Sequence, residues 1–438
     1  MKLRYSALLT LIVFIQGCGS DSTTSNNAID ETATFEVAAT LINDCGQRQS
    51  FDRFTVYLQD DDWNTLSSFQ ADENGRVSID TVDETITFTL VAEMQQGDGL
   101  SGLEITSFAD VPSSSNLSYE ATFDTLKQSE TCECVSQDIN LRHRSFAEKS
   151  NFDASATFID WVDESNQLSV FQGTTLCREN GEEWPVHSFT VFGRNLQGQL
   201  IGSSEITNDF GDALLSSLDI SAIQATAPYA PPMAQTDLVV SQLFQQREHF
   251  KVRLPSDATT APIFDSHPFI DEARHKSISH QDIATIDSLF GNSSYQVNRQ
   301  IISTDVYLTL DNTLPITHPS LDYETYSELG EDGNYDYSLA DSDMLNITFV
   351  YDIKDASNNA IPVTWELFGP VTGTLPMTVG IAEIDNIVNP QSDVKTTQIT
   401  LYNSEHTDNY NNYIFHFMGN VDEELISDLT WYQLSLSF

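Results

Sequence analysis

The sequence predicts a mainly β protein, built as tandem antiparallel β-sandwich domains with one short helix in a linker. Three observations carry that expectation. Apolar residues alternate with polar ones in short runs: Phe35, Val37, Ala39 and Leu41; Phe54, Val56 and Leu58; Ile86, Phe88, Leu90 and Ala92. Such a period of two belongs to strands with one buried face. Turn-forming residues punctuate the runs, Asn74-Gly75 being the clearest hairpin signal in the chain. Finally, a 3.6-residue apolar period emerges with conviction in one stretch alone, near residues 279–290.

Taken in order, the chain opens with a processing segment. Lys2 and Arg4 form a positive start, residues 7–15 an apolar core, and the small Gly17 precedes Cys18. The apolar core is too short to span a bilayer as a helix. Ile15-Gln16-Gly17-Cys18 resembles the lipobox of bacterial lipoproteins. The resemblance implies a signal peptide over 1–17, cleavage before Cys18 and acylation of its thiol. Gly19, not Asp, follows the cysteine, which by the same resemblance implies a lipid anchor in the outer membrane of a Gram-negative cell. Several acyl chains on one cysteine anchor stably where one chain alone is marginal. Residues 18–33 are then the lipidated cysteine and a polar tether rich in Ser, Thr, Asn and Asp.

Charge narrows the partners. The chain carries 65 acidic against 19 basic residues, a formal net charge of -46. That balance repels polyphosphates and anionic lipid surfaces and excludes nucleic-acid binding. The acids are interleaved with apolar residues rather than gathered in a disordered tail, and acidity of this kind suits a saline habitat.

Residues 34–141 read as a first β-sandwich module and 142–254 as a second. Phe54-Thr55-Val56-Tyr57 followed by Asp72-Glu73-Asn74-Gly75 is matched, at a nearly constant offset, by Phe189-Thr190-Val191-Phe192 followed by Asn208-Asp209-Phe210-Gly211. This unit resembles the carboxypeptidase-regulatory or transthyretin-like modules of bacterial surface proteins. With Cys18 set aside, Cys45, Cys132, Cys134 and Cys177 remain in the exported body, an even number that predicts two disulfides. Cys132 and Cys134 sit two apart in an extended run, so both leave one face and each can meet a different partner. Cys45 and Cys177 are the expected partners, which would staple the modules together. A soft-metal site at the Cys-x-Cys is the alternative.

Residues 255–294 form the linker. Pro255, Pro262 and Pro268 interrupt its start; Ser279 then reads as an N-cap, with Ile283, Ile286, Leu289 and Phe290 on one helical face and Gly291 as the stop. The β pattern returns over 295–438, in Val306, Leu308 and Leu310; Leu345, Ile347 and Phe349; Ile399 and Leu401; Ile414, Phe415 and Phe417; and Trp431, Leu434 and Leu436. Within it Asn358-Asn359 and Pro362 resemble turns of bacterial immunoglobulin-like repeats.

Chemistry is sparsely signed. Neither a nucleophile elbow, a zinc-protease helix, a P-loop nor a dinucleotide fingerprint is present. His267, His275 and His280 cluster with Asp265, Asp271, Glu272 and Asp282, but their spacing fits no zinc pattern. Asp332, Asn334 and Asp336, around Gly333 in an acidic stretch without Lys or Arg, are candidate calcium ligands. Calcium apart, no cofactor is expected. Tyr323, Tyr326, Tyr335, Tyr337, Tyr402, Tyr410 and Tyr413 lie among Asn and Asp, a pairing suited to sugar or peptide recognition. The sequence therefore predicts a lipid-anchored envelope protein that binds or scaffolds without catalysis, its partner a polysaccharide or another envelope protein. The alternative is a surface-anchored glycan hydrolase with paired carboxylates in the C-terminal domain.

Overall fold

A computed structural model describes residues 32–96, 99–121, 132–142, 334–337, 342–354, 358–388 except 377, 394–404, 406–407, 410–418 and 428–437, and between 151 and 303 the segments named below. The first part of the chain contributes β1 (Ala33–Ile42), β2 (Arg48–Ser50), β3 (Phe54–Gln59), β4 (Thr65–Gln70), β5 (Arg76–Thr81), β6 (Thr85–Gln96), β7 (Gly99–Pro112) and β8 (Asn116–Ala121). The middle contributes β9 (Cys132–Arg142), β10 (Asn151–Ala154), β11 (Asp160–Glu164), β12 (Leu168–Glu179), β13 (His187–Arg194), β14 (Leu200–Asn208), β15 (Ser217–Asp219), β16 (Ala227–Tyr229), β17 (Asp237–Phe244), β18 (Arg247–Leu254), β19 (Ala261–Ile263), β20 (His275–Ser288) and β21 (Gly291–Ser303). The last part holds β22 (Asn334–Asp336), β23 (Met344–Lys354), β24 (Ala360–Gly369), β25 (Thr372–Thr374), α1 (Ala382–Asp385), β26 (Val394–Ser404), α2 (Tyr410–Phe417) and β27 (Asp428–Ser437).

The mainly β class read from the sequence is what the structure has. A twelve-stranded sheet runs in the order β18-β17-β20-β21-β27-β26-β23-β24-β7-β6-β3-β4. A second sheet, β2-β1-β5 with β8 parallel to β1, covers one face of its β7-β6-β3 wing. Alternation dictates this sandwich: Phe35, Val37, Leu41, Val77, Ile79 and Leu117 point inward from the small sheet to meet Phe54, Val56, Phe88, Leu90 and Phe108 of the large one. Phe35, Phe88 and Phe108 are fully buried, each contributing about 1.5–3 kcal/mol by leaving water. On the opposite face of the large sheet, Leu103, Ile105, Val363 and Trp365 pack under Val379, Ile381, Ile384 and Val388 of the segment around α1. Leu345, Ile347, Ile399, Leu401 and Leu434 pack under Tyr335 and Tyr337.

The large sheet crosses the expected boundary between the first module and the C-terminal domain. β7 pairs parallel with β24, Val363 lying opposite Leu103 and Phe368 opposite Phe108. Pro362 stands one residue outside that pairing, where its missing N–H breaks no bond to β7.

The structure corrects three local expectations. Residues 279–290 are not a helix: β20 is extended through Ser288 and pairs along its length with β21. Its Ile278, Ile283, Thr285 and Ile286 favour strands by their β-branching, and a bulge between Asp282 and Ala284 resets the alternation so that it imitates a helical period. Conversely, Ile414, Phe415 and Phe417 belong to α2, whose Tyr410, Tyr413, Ile414 and Phe417 form an i, i+3, i+4, i+7 stripe. Asn74-Gly75 does turn the chain tightly, with Gly75 at φ +68°, but it joins strands in different sheets and so closes no hairpin.

Candidate functional site

One row of residues runs across the large sheet and changes character midway. From β3 it reads Leu58, Phe88, Phe108 and Phe368, then Asn346, Thr400, Gln433 and Gln296, each facing the next in register. In the apolar half the rings of Phe88 and Phe108 stack at 4.9 Å and those of Phe108 and Phe368 at 5.3 Å. The neighbouring row repeats the change: Leu90 leads to Thr106, Glu366, Thr348, Gln398, Ser435 and Ser294.

The apolar half lies under the small sheet. The polar half, on β24, β23, β26, β27 and β21, is a layer of amides and hydroxyls knit together laterally, buried at Asn346 and Thr400 and half-buried at Thr348, Gln398, Gln433 and Ser435. Gln433 Nε2 donates to Gln398 Oε1 at 3.3 Å and to Ser435 Oγ at 3.1 Å; Gln398 Nε2 donates to Thr400 Oγ1 at 3.2 Å; and Thr348 Oγ1 donates to Asn346 Oδ1 at 3.2 Å. Asn346 is 6 % exposed and its Nδ2 has no partner among the described residues. No Lys or Arg occupies these rows between β24 and β27. Tyr402 and Trp431, opposite each other in register, border the layer on one side. α2 closes that border, Phe417 lying 5.0 Å from the Tyr402 ring and 5.7 Å from that of Phe368.

The other border is acidic. Glu366 and Glu104 occupy the same face of β24 and β7. Burial first, and the charge of Glu104 second, push the Glu366 carboxyl above its ordinary value. The Tyr119 hydroxyl donates to Glu104 Oε2, and burial together with that carboxylate raises the phenol. Chemically this is an uncharged hydrogen-bonding surface, with aromatic edges and a carboxyl pair at its rim.

The 1–17 segment and Cys18 lie outside the described residues. Cys45 is bonded to Cys132 and Cys134 to Cys177, so β9 is tied both to the β1–β2 turn and to β12. Asp332 is outside the described residues, while Asn334 and Asp336 lie in β22, extended against β25. Among the described residues no group of three or more His, Cys, Asp or Glu side chains is placed to hold a metal. His275 and His280 lie in β20, paired in register with Ser303 and Asn298 of β21; His267 is outside the described residues.

Of the tyrosines, Tyr335 and Tyr337 are buried beneath the sheet, and Tyr335 donates to the Pro370 carbonyl at 3.1 Å. Tyr410 donates to the Phe368 carbonyl at 3.1 Å and Tyr413 to Asp343 Oδ2 at 3.0 Å. These four hold the fold. Tyr402 alone of the seven stands at the candidate surface among the described residues; Tyr323 and Tyr326 lie outside them. Sequence reading missed the Gln398–Gln433 layer because its signal was the polar half of alternating strands, which by itself only marks a face turned from the core.

Comparison with known proteins adds little. No family model and no curated protein matches the chain. Among solved structures, two B repeat units of the collagen binding protein of Staphylococcus aureus align over 86% of this chain and 97% of that one, at 10% identity and a TM-score of 0.14. A likeness of that size supports no argument about this chain.

Proposed function

We propose that the chain is a lipid-anchored, non-enzymatic binding protein of the bacterial cell envelope. Cys18 holds it to the outer membrane, and the polar layer on β24, β23, β26, β27 and β21 receives an uncharged polysaccharide. The anchor rests on the Ile15–Cys18 tetrapeptide and the polar tether that follows it. The ligand rests on one observation, the laterally bonded amide layer centred on Gln398 and Gln433 with Tyr402 and Trp431 at its edge. Amides and hydroxyls exchange hydrogen bonds with sugar hydroxyls, and aromatic rims supply apolar contact. The absence of Lys and Arg from the rows disfavours an anionic glycan.

Two measurements test the reading. Labelled fatty acid should mark the wild type and spare Cys18→Ser; an unlabelled wild type sinks the anchor. Neutral envelope polysaccharide should bind the soluble body, with Gln433→Ala weakening it roughly tenfold, as expected for losing one or two good hydrogen bonds. Equal binding by both proteins removes the face from the reading.

A second reading is a surface glycan hydrolase, and the raised Glu366 carboxyl beside Glu104 favours it. Of that pair, Glu366 comes from the C-terminal domain and Glu104 from the first module. Hydrolysis on a neutral glycan panel that disappears in Glu366→Gln would replace the first reading with this one.

A further inference from the structure

The large sheet ends on β4, and no other strand among the described residues pairs with its outer side. Sheet edges are templates for added strands, and proteins that avoid this place charges, proline or bulges on them. β4 has no charge and no proline, and its bulge is confined to its start: Thr65-Leu66-Ser67-Ser68-Phe69-Gln70 is uncharged in a chain of net charge -46, and Ser67–Gln70 pairs regularly with β3. Its start is fixed, Thr65 Oγ1 donating to the Gly380 carbonyl at 2.6 Å. Leu66 forms a bulge there and is 68% exposed.

The direction of the free groups follows from one bond. Ala71 N–H donates inward to the Phe54 carbonyl at 3.1 Å. Backbone groups of an antiparallel strand alternate sides, so Phe69 also points to β3, and Ser68 and Gln70 turn their N–H and C=O groups to the open edge.

Both ends of the edge are acidic. Asp60, Asp61 and Asp62 form the turn before β4, and Asp72 and Glu73 follow it. Asp60 is committed to its own turn, accepting from the N–H of Asp62 and of Asn64 at 3.0 and 2.8 Å, while Asp61 and Asp62 are exposed. At the far end Asp72 accepts from the N–H of Arg76, whose charge offsets that end. Antiparallel pairing of β4 with a second copy would set Asp60–Asp62 of each chain against Asp72 and Glu73 of the other. Self-association is thereby opposed and a cationic strand is not.

We infer that β4 is a docking edge for an extended segment of a partner protein, added antiparallel, with basic residues at the segment's C-terminal end lying against Asp61 and Asp62. The backbone groups of Ser68 and Gln70 bind the segment, as in other cases of strand addition. This surface is separate from the polar layer and does not depend on it.

The probe is a capped peptide of about ten residues, a usual upper strand length, alternating Val and Thr with a lysine cluster at its C-terminal end. The comparison peptide carries the cluster at its N-terminal end. The first should bind the soluble protein at low salt, protect the Ser68 and Gln70 amides from hydrogen exchange, and bind at least tenfold more weakly in ~0.5 M NaCl, where exposed charges are screened. Ser68→Pro should keep the melting temperature, since its N–H faces outward, and should abolish binding. Asp61→Lys with Asp62→Lys leaves the strand untouched and should weaken binding at least tenfold. Binding of neither peptide, equal binding of both, or binding that survives Ser68→Pro or the double lysine variant would overturn the inference. So would dimerisation of the wild type that Ser68→Pro abolishes, which would assign the edge to a second copy of the chain.

Discussion

Gln59 shows how a buried polar side chain is made tolerable. Its Nε2 donates to the carbonyls of Trp63 at 2.9 Å and Val379 at 2.7 Å, and its Oε1 accepts from Thr89 Oγ1 at 2.6 Å. Thr89 shares a bond of 2.8 Å with Ser107 Oγ, which accepts from Trp365 Nε1 at 3.0 Å. The chain of bonds crosses β3, β6, β7 and β24 in turn, inside a sheet where an unpaired group would cost about 1–3 kcal/mol. Gln59→Leu orphans two carbonyls and takes one acceptor from the Thr89 hydroxyl, which keeps its bond to Ser107, and should destabilise the fold by about 2–3 kcal/mol in urea unfolding, on that per-group cost. Trp365→Phe removes only the terminal donor and should cost about 1 kcal/mol for its hydrogen bond. Glu366 is the opposite case, a carboxyl whose native value is raised by burial and by Glu104. The native state then holds that proton more tightly than the unfolded chain does. The stabilisation is complete below the unfolded value and is lost as pH rises through the raised native one. Glu366→Gln should therefore match the wild type near pH 4 and melt a few degrees higher at neutral pH. Parallel melting curves across that range would remove Glu366 from the acid rim.

At the scale of elements, the strands of the sandwich were legible because each has one wet and one dry face. Phe35–Leu41 and Phe54–Leu58 were read correctly for that reason. Elements whose periodicity was disturbed were misread: the bulge in β20 disguised a strand as a helix, and the Phe-rich end of α2 disguised a helix as a strand. The Asn74-Gly75 turn was seen, but its partners were not, since turn residues encode a local bend and not the sheet each strand joins. That turn permits a sharp test. Gly46 and Gly75 both have positive φ, so alanine at either costs about 1–2 kcal/mol for the left-handed backbone. A Cβ on Gly46 meets nothing within 4 Å, whereas one on Gly75 would lie 2.7 Å from the carbonyl oxygens of both Ala39 and Phe51. Gly75→Ala should therefore lower stability clearly more than Gly46→Ala in denaturant unfolding. Equal losses would mean that the turn can move away from the small sheet.

At the scale of the whole molecule, the candidate face exists because segments far apart in sequence share one sheet. Its rim pairs Glu104 of β7 with Glu366 of β24, and its polar layer begins where the small sheet and α2 stop covering β24. None of this was legible, because a parallel pairing between residues 103–108 and 363–368 leaves no local trace; each strand looks like any other buried strand. The same pairing changes what counts as a folding unit. Phe108 stacks on Phe368, Ser107 accepts from Trp365, Gln59 reaches the Val379 carbonyl, and Trp63 Nε1 donates to the Thr374 carbonyl at 3.1 Å. Cut away from the C-terminal segment, residues 32–121 would keep the small sheet but expose the β7 edge, one side of the Phe108 ring and the apolar face bearing Leu103 and Ile105. They would also lose the Cys45–Cys132 bond, which closes 87 residues of chain and by loop entropy contributes on the order of 4–5 kcal/mol. Because folded domains are stable by only about 5–15 kcal/mol, these losses exceed what the fragment can bear. Residues 32–121 expressed alone should give a collapsed amide NMR spectrum and cooperative melting should be absent, while residues 32–438 melt cooperatively. A well-dispersed spectrum from the fragment would show that the first sandwich folds by itself and that its junction with β24 is a docking contact between finished domains.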